Sequence, residues 1–437
     1  MLQCPQDKQL FVFGGDLLAR TILQADLNCF YASVECLLNP AIRDRPVAVC
    51  GSVEARHGIV LTKNYIAKPY GIKTGMAVWE AKRLCPELVT VEARHGLYLR
   101  YARRVREIYS RYTDLVEPFG LDEAWLDVSG EDGKLIADEL RQVIFRECGL
   151  TVSIGVADNK VYAKLGSDYK KPDATTVFLG NAIPEIVYRL PVSDLLFVGR
   201  ATAQRLHDYR IDTIGDLARA DAHFLKAVFG KNGVMLGKYA RGEDDSPVHP
   251  SDFAEAVKSI GHSTTLPRDV KTREEAHAVL TLLSEAVSAR LREHRFECRT
   301  VSVYLRQSDL RSFERQITLP APTDLTLVIR DAAEHLLRDL FDPSALAAAG
   351  LGVRSLGVRA SMLTSKEEEV QLTFDPLPRI DERARLTEQV MDDIRRRFGY
   401  FSLRRASMLT DPALTGYDIR SGIPTLPSAV TEVMSLT

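Results

Sequence analysis

Cysteine is scarce in this chain and follows no pattern. Its 437 residues include 7, at positions 4, 29, 36, 50, 85, 148 and 298, and no two stand in a C-x-x-C arrangement. An odd, scattered set excludes a disulfide framework and a cysteine zinc site, and it fits a reducing cytoplasm. Long hydrophobic runs are missing too. No apolar stretch approaches the roughly 18–20 residues of a membrane span, so no membrane role is expected. The opening residues, MLQCPQDKQLFVFGG, have no basic n-region and only the short apolar stretch LFVF, which does not read as a secretory signal. Neither sign of charge is in excess: 57 Lys and Arg face 59 Asp and Glu, a net −2. That balance neither supports nor opposes nucleic acid as a partner, because what counts is whether positive charge gathers on one face.

What remains is a soluble globular composition, 45% hydrophobic and 27% charged. The length suggests about two to four domains. β signals fall at residues 21–27, 46–50, 58–62, 88–92, 114–119, 123–128 and 151–157, with helical patterns at 30–38, 63–70, 77–84, 94–112, 134–147 and 159–169. In the 94–112 helix, Leu97, Tyr101, Val105, Ile108 and Tyr112 form an apolar stripe. Arg100, Arg103, Arg104, Arg106 and Arg111 read as its solvated face. Mixed strands and helices to about residue 171 suggest an α/β or α+β unit with an antiparallel hairpin near residue 120. Beyond Lys170-Lys171-Pro172 the pattern is short helices without strands to about 245, and the acidic, proline-bearing EDDSPVHPSD at 243–252 reads as a linker. Helix and strand patterns return over 257–363, including a helix at 273–293 and a strand at 300–306. A helix at 381–397 and a tail expected to be flexible follow.

One stretch asks for an explanation: FGLDEAWLDVS, residues 119–129, sets Asp122 beside Glu123 in an apolar, aromatic run. Successive strand side chains point to opposite faces, so the two serve one site only beside a turn, which Phe119-Gly120 supplies. Neighbouring carboxylates repel and raise a pKa unless a cation neutralises them. Oxygen ligands with no His or Cys nearby point to Mg²⁺ or Mn²⁺ rather than zinc. A third acid, Asp26, ends the apolar strand of ILQADLNCFYASVE just before a helix. If that strand pairs with the hairpin, Asp26, Asp122 and Glu123 converge on two ions about 3.5–4 Å apart, the clamp used in phosphoryl transfer.

Six stretches carry a resemblance: ADLNCFYASVE (25–35), RPVAVCG (45–51), LTKNYIAKPYGIKTGM (61–76), LDEAWLDVSG (121–130), SIGVADNKVYAKLGSDYKKP (153–172) and VKSIGHSTTL (257–266). In order and spacing the chain resembles the Y-family translesion DNA polymerases, most closely the DNA polymerase IV group. The resemblance implies a multidomain α+β fold. Its parts would be a palm with a ferredoxin-like mixed sheet (20–29 and 95–171), small fingers (30–94) and a helical thumb with a helix-hairpin-helix-like element (172–245). A linker (246–256), an α/β little finger that binds DNA (257–363) and a C-terminal tail (364–437) would complete it. It implies Asp26, Asp122 and Glu123 as the metal-binding, catalytic acids with the Leu27 carbonyl as a further ligand, and two Mg²⁺ ions that Mn²⁺ can replace. It also implies Tyr31 as the steric gate against ribonucleotides, Tyr65, Lys68 and Lys164 as the triphosphate clamp, and Cys29 and Phe30 as the helix opening that meets phosphate. The partners implied are primer-template DNA and dNTPs, for a cytoplasmic, nucleoid-associated monomer. QLTFD at 371–375 resembles a sliding-clamp peptide through Gln371, Leu372 and Phe374.

The chain also departs from the family pattern. Gly120-Leu121 replaces Ser-Ile before the acid pair, Asn28 stands where many relatives have aspartate, Lys68 where arginine is also common, and Phe197 where a hairpin glycine is usual. Over 257–363 there are 15 Lys and Arg against 13 Asp and Glu, so a DNA grip there must come from placement. Arg290, Arg292, Arg295, Arg299, Arg306, Arg311 and Arg315 are the crowd expected to supply it. Two other classes compete with a polymerase: a catalytically silent DNA- or clamp-binding adaptor, and a nucleotide cyclase built on a palm.

Overall fold

The computed structural model describes residues 20–51, 58–253, 256–366 and 382–416. Strand β1, Ile22–Leu27, is buried along its whole length, as an apolar strand must be when both its faces are covered. Helix α1 (Phe30–Leu38) follows, then β2 (Val47–Cys50), β3 (Val60–Lys63), α2 (Val78–Leu84) and β4 (Val89–Glu92). The helical pattern at 63–70 is corrected here: the chain continues β3 to Lys63 and makes only a 3-10 turn at Lys68–Tyr70, where Pro69 falls inside the turn. Strands β3-β2-β4 form a three-stranded sheet with its own small core around Ala48, Val60 and Ala81.

Helix α3 (His95–Tyr109) leads to β5 (Val116–Pro118), β6 (Glu123–Asp127), α4 (Gly133–Cys148), β7 (Val152–Ala157), α5 (Lys160–Tyr169) and β8 (Thr175–Phe178). The second sheet runs β5-β6-β1-β7-β8, antiparallel except for the parallel β7–β8 pair. Strand β8 corrects the expectation that strands end near residue 171. Thr175 and Val177 are half-buried and Thr176 and Phe178 buried, a signal too short to separate from loop. Helix α5 lies against β7 at Gly155, where an added Cβ would stand 1.9 Å from the Ala163 carbonyl oxygen, so only glycine permits the approach.

Helices α6 (Ala182–Glu185), α7 (Arg200–Asp208), α8 (Ile214–Arg219) and α9 (Ala222–Ala240) follow. Phe197 takes φ 68°, the left-handed region that a glycine enters freely. The 243–252 stretch has no helix or strand, yet it is held. Val248 is buried in the helical core, and the Arg20 guanidinium donates to the Asp244 carbonyl at 2.8 Å.

The third sheet, β11-β10-β12-β9, comprises β9 (Ser259–Val270), β10 (Phe296–Gln307), β11 (Ser312–Thr323) and β12 (Val353–Ser365). Helices α10 (Arg273–Glu293), α11 (Thr326–Leu340) and α12 (Pro343–Ala348) belong with it. Val301, Val303 and Leu305 of β10 and Leu356, Val358 and Ala360 of β12 share a core with Leu280, Leu283 and Val287 of α10. Alternation then puts Ser302, Tyr304, Ser355, Gly357 and Arg359 on the other face.

The tail is the largest correction. Residues 382–416 dock on this unit through α13 (Glu382–Phe398), two 3-10 turns and α14 (Pro412–Thr415), with Met408 and Leu414 fully buried. Much of that contact is ionic. Glu285 of α10 meets Arg395 at 3.0 Å and Arg405 at 2.6 Å, Glu388 meets Arg405 at 2.7 Å, and Arg292 reaches Glu388 at 3.2 Å and Asp392 at 2.6 Å. Arg292 therefore leaves the set expected to face DNA, and Arg311 pairs with Asp309 at 2.6 Å. The 371–375 peptide lies outside the described residues. No helix among the described residues is long and apolar enough to cross a membrane.

Candidate active site

Antiparallel pairing of β1 with β6 sets Asp26 directly opposite Glu123. Cross-strand partners share a face, so the pairing brings both carboxylates to one side. Asp122 precedes them on the turn made by Gly120 at φ 84°, and its carbonyl accepts from the Leu27 N–H at 3.0 Å. The Asp122 backbone thus reaches the end of β1.

The acids gather around ammonium groups. Lys164 of α5 stands 2.9 Å from Asp26 and 2.8 Å from Glu123, and also 3.0 Å from Asp168. Lys171 stands 2.8 Å from the same Asp26 oxygen and 2.9 Å from Asp168. Sequence reasoning passed over Lys171 and Asp168. The signal was present, since Lys164, Asp168 and Lys171 recur at i, i+4 and i+7 on one helical face and its exit.

Burial and mutual repulsion act on the acids. Burial and then the Asp26 charge push Asp122 up to about 6. Burial raises Glu123 to about 7, with Lys164 opposing and Asp26 adding to the rise. For Lys164, burial disfavours the charge but Asp26 and Glu123 outweigh it, and its pKa is raised. The donor set is all oxygen and strongly anionic, the chemistry of a hard divalent ion, with lysine ammonium groups standing in for the cation. In this arrangement no three His, Cys, Asp or Glu side chains among the described residues are close enough to hold a metal by themselves. An ion held by all three acids requires Lys164 to withdraw.

Beside the acids, the Tyr31 ring stacks on Tyr98 at 4.1 Å and 11°, with His95 edge-on at 5.9 Å. Tyr98 is fixed in turn, its hydroxyl donating to Glu35 at 2.7 Å, and Arg94 holds the same carboxylate at 3.0 Å. Burial and then the Asp122 charge push the Tyr31 phenol up to about 12.

The residues named from the fingers side also assemble. The Lys68 ammonium lies 3.7 Å over the Tyr65 ring, and both side chains reach the Cys29 thiol, which burial raises and Lys68 lowers. The Tyr65 hydroxyl is buried, with the Cys29 thiol as its neighbour, and burial and then Cys29 raise the phenol. Burial and then Lys68 lower Lys63, adding it to the group. Cys29 enters α1 at φ 50°, and Phe30 behind it is buried in the main core. Asn28 has a structural use: its amide donates to Ser153 at 2.9 Å and accepts the Asp173 N–H at 2.8 Å.

This fold and this acid cluster define a class, and comparison agrees: the chain belongs to the impB/mucB/samB family, residues 25–168 matching the family and 257–374 its C-terminal domain. Among solved structures it resembles a Y-family DNA polymerase chimera, with TM-score 0.68 and 25% identity over 79% of this chain and 100% of that one. Among curated relatives it is similar to the DNA polymerase IV of Acetivibrio thermocellus, 46% identical over 91% of this chain and 99% of the relative. It is also similar to DNA polymerase IV 1 of Bacillus subtilis, 36% identical over 90% and 94%.

Proposed function

We propose that this chain is a DNA-directed DNA polymerase of the translesion type. It adds dNTPs to a primer 3′-hydroxyl, which attacks the α-phosphorus as pyrophosphate leaves. The observation that carries this reading is the direct opposition of Asp26 and Glu123 about one ammonium group. An adaptor or a silent relative gains nothing from desolvating three carboxylates, and a cyclase has no use for the polar open face of the third sheet.

Asp26, Asp122, Glu123 and the Leu27 carbonyl are the proposed holders of two Mg²⁺ ions, with Mn²⁺ as substitute; when bound, these supply the charge that activates the hydroxyl and steadies the phosphates. Lys164 and Lys171 leave the carboxylates for the triphosphate. Lysine suits that task because its charge is a point on a flexible stem. Tyr65, Lys68 and the Cys29–Phe30 helix opening take the β and γ oxygens. Tyr31, braced from behind by Tyr98, closes the space a ribose 2′-hydroxyl would need.

The proposed division is palm 20–29 and 95–171, extended to β8 if the whole sheet is counted, fingers 30–94, thumb 172–245 and little finger 257–363. DNA lies along the open face of the third sheet, in the groove of about 410 Å³ lined by Gly261, Ser263, Ser302, Tyr304 and Arg359. Arg299 is exposed, whereas Arg315, also exposed, pairs across the strands with Val303 and so lies on the helix-covered side of the sheet.

Primer extension by the purified protein tests the reading. The intact protein is expected to extend a primer in Mg²⁺, and Asp122→Ala to lose about 10³-fold or more, the scale of removing a transition-state charge partner. Absence of extension by the intact protein sinks the polymerase in favour of the adaptor. Tyr31→Ala should incorporate ribonucleotides, and unchanged discrimination removes the gate. A sliding clamp is the proposed partner of residues 371–375. Their deletion should lower processivity only when clamp is added.

A further inference from the structure

Helix α3 buries a guanidinium that its amphipathic pattern assigns to solvent. Arg106 is 7% exposed, on the face that also holds Ala102, Val105 and Tyr109. Among the described residues no carboxylate pairs with it, and its hydrogen-bond acceptor is the Gly120 carbonyl oxygen, 3.5 Å from Nη2. A buried cation costs several kcal/mol of desolvation, about what one long carbonyl contact cannot offset alone. Burial accordingly holds its pKa down at about 10.

Two features explain what the guanidinium does there. Gly120, two residues before Asp122, stands at φ 84°, where side chains are strained, so the turn has no side chain of its own to anchor it. This is also where the chain has Gly-Leu in place of the family's Ser-Ile. Tyr109, three residues along the same helix face, is 2% exposed, and its hydroxyl has no hydrogen-bond partner. Burial and then Asp26 raise its phenol, with Arg106 opposing and Asp122 adding.

We propose that Arg106 is a positioning residue for nucleotide addition: its contact with the Gly120 carbonyl holds the turn and so fixes where Asp122, two residues on, points. The proposal rests on the polymerase reading, and its test separates the two.

The test is single-nucleotide insertion by intact protein, Arg106→Met and Arg106→Lys, with thermal melts and hydrogen exchange of the 119–122 amides alongside. R106M is expected to melt no lower than the intact protein, because an uncompensated buried charge is gone. Its kcat should fall about 10- to 100-fold, the effect of roughly an ångström of misplacement. KM for dNTP and Kd for primer-template should stay within about twofold, since binding is not what the turn supplies. The 119–122 amides should exchange faster, and R106K, which keeps a donor, should recover part of kcat. An R106M kcat within about threefold of the intact protein overturns the proposal. So does a parallel loss of kcat, DNA affinity and melting temperature, which marks a general packing role. If R106M does not fold, Arg106→Gln carries the same test, with an unchanged kcat overturning the idea. No extension by intact protein would instead sink the polymerase reading.

Discussion

Two buried ionic clusters in this molecule use opposite chemistry. Around β1, Asp26, Glu123 and Asp168 surround the ammonium groups of Lys164 and Lys171. Between α10 and α13, Glu285, Glu388 and Asp392 are held by the guanidinium groups of Arg292, Arg395 and Arg405. Arginine's planar fork reaches two acceptors at once and always keeps its charge, so the second cluster is a permanent fastening. There Arg405 spans Glu285 and Glu388, Arg395 also donates to the Leu403 carbonyl at 2.8 Å, and Thr326 donates to Glu388 at 2.8 Å. Lysine offers a point charge on a flexible stem, and the first cluster leaves Asp122 and Glu123 raised despite it. That cluster is incompletely neutralised and open to exchange with a stronger cation. Similar charges thus make a joint in one place and, on the reading proposed above, a metal-binding centre in the other, and the cation's geometry decides which.

The contrast can be broken experimentally, and the largest effect is expected at the fastening. Glu285→Gln strands two guanidinium groups and should cost about 3–5 kcal/mol in denaturant unfolding of the C-terminal unit. Single-nucleotide insertion should be unchanged; a loss of insertion with stability intact would mean that this cluster is no mere joint. Next comes Lys164→Arg, which places a fork where a point charge now sits. Bidentate pairing with Asp26 and Glu123 should lower insertion by about a hundredfold while the fold melts no lower. Near-normal rates would show that exchangeability is not lysine's contribution.

The smallest effect is on pH. Asp122 and Glu123 are raised in the folded protein to about 6 and about 7, above the usual carboxylate range of the unfolded chain. The folded state therefore binds these protons more tightly. The associated stability is fully present below the unfolded values and is lost as pH rises through about 7. Melting in chelator should accordingly fall between about pH 4 and pH 7, less steeply in Asp122→Asn, and added divalent ion should reverse the fall. A slope equal in the variant would remove Asp122 as its source.

Much of the catalytic region was legible because its signals are local. The apolar run into Asp26, the turn before Asp122 and the helix patterns to residue 170, apart from that at 63–70, gave strands and helices within a few residues of those observed. What escaped depends on tertiary pairing. Glu388, Asp392 and Arg395 look in sequence like one solvated helix face, yet they are buried, while Leu386, Val390 and Phe398 of the same helix are exposed. The pattern gave the helix at 381–397, but no periodicity argument shows that it docks by its charges. Arg106 was missed for the same reason, its burial being set by the turn above it. Strand β8 is too short to declare itself without β7 beside it.

The close seating of α5 on β7 at Gly155 has a mechanical consequence. With the Ala163 carbonyl where a Cβ would otherwise sit, helix and strand leave no slack for sliding, and the backbone beneath Lys164 is a fixed post. The ammonium can change partners only by rotation about its own side-chain bonds. Handing the carboxylates to another cation is then a side-chain event at Lys164 that needs no movement of the scaffold.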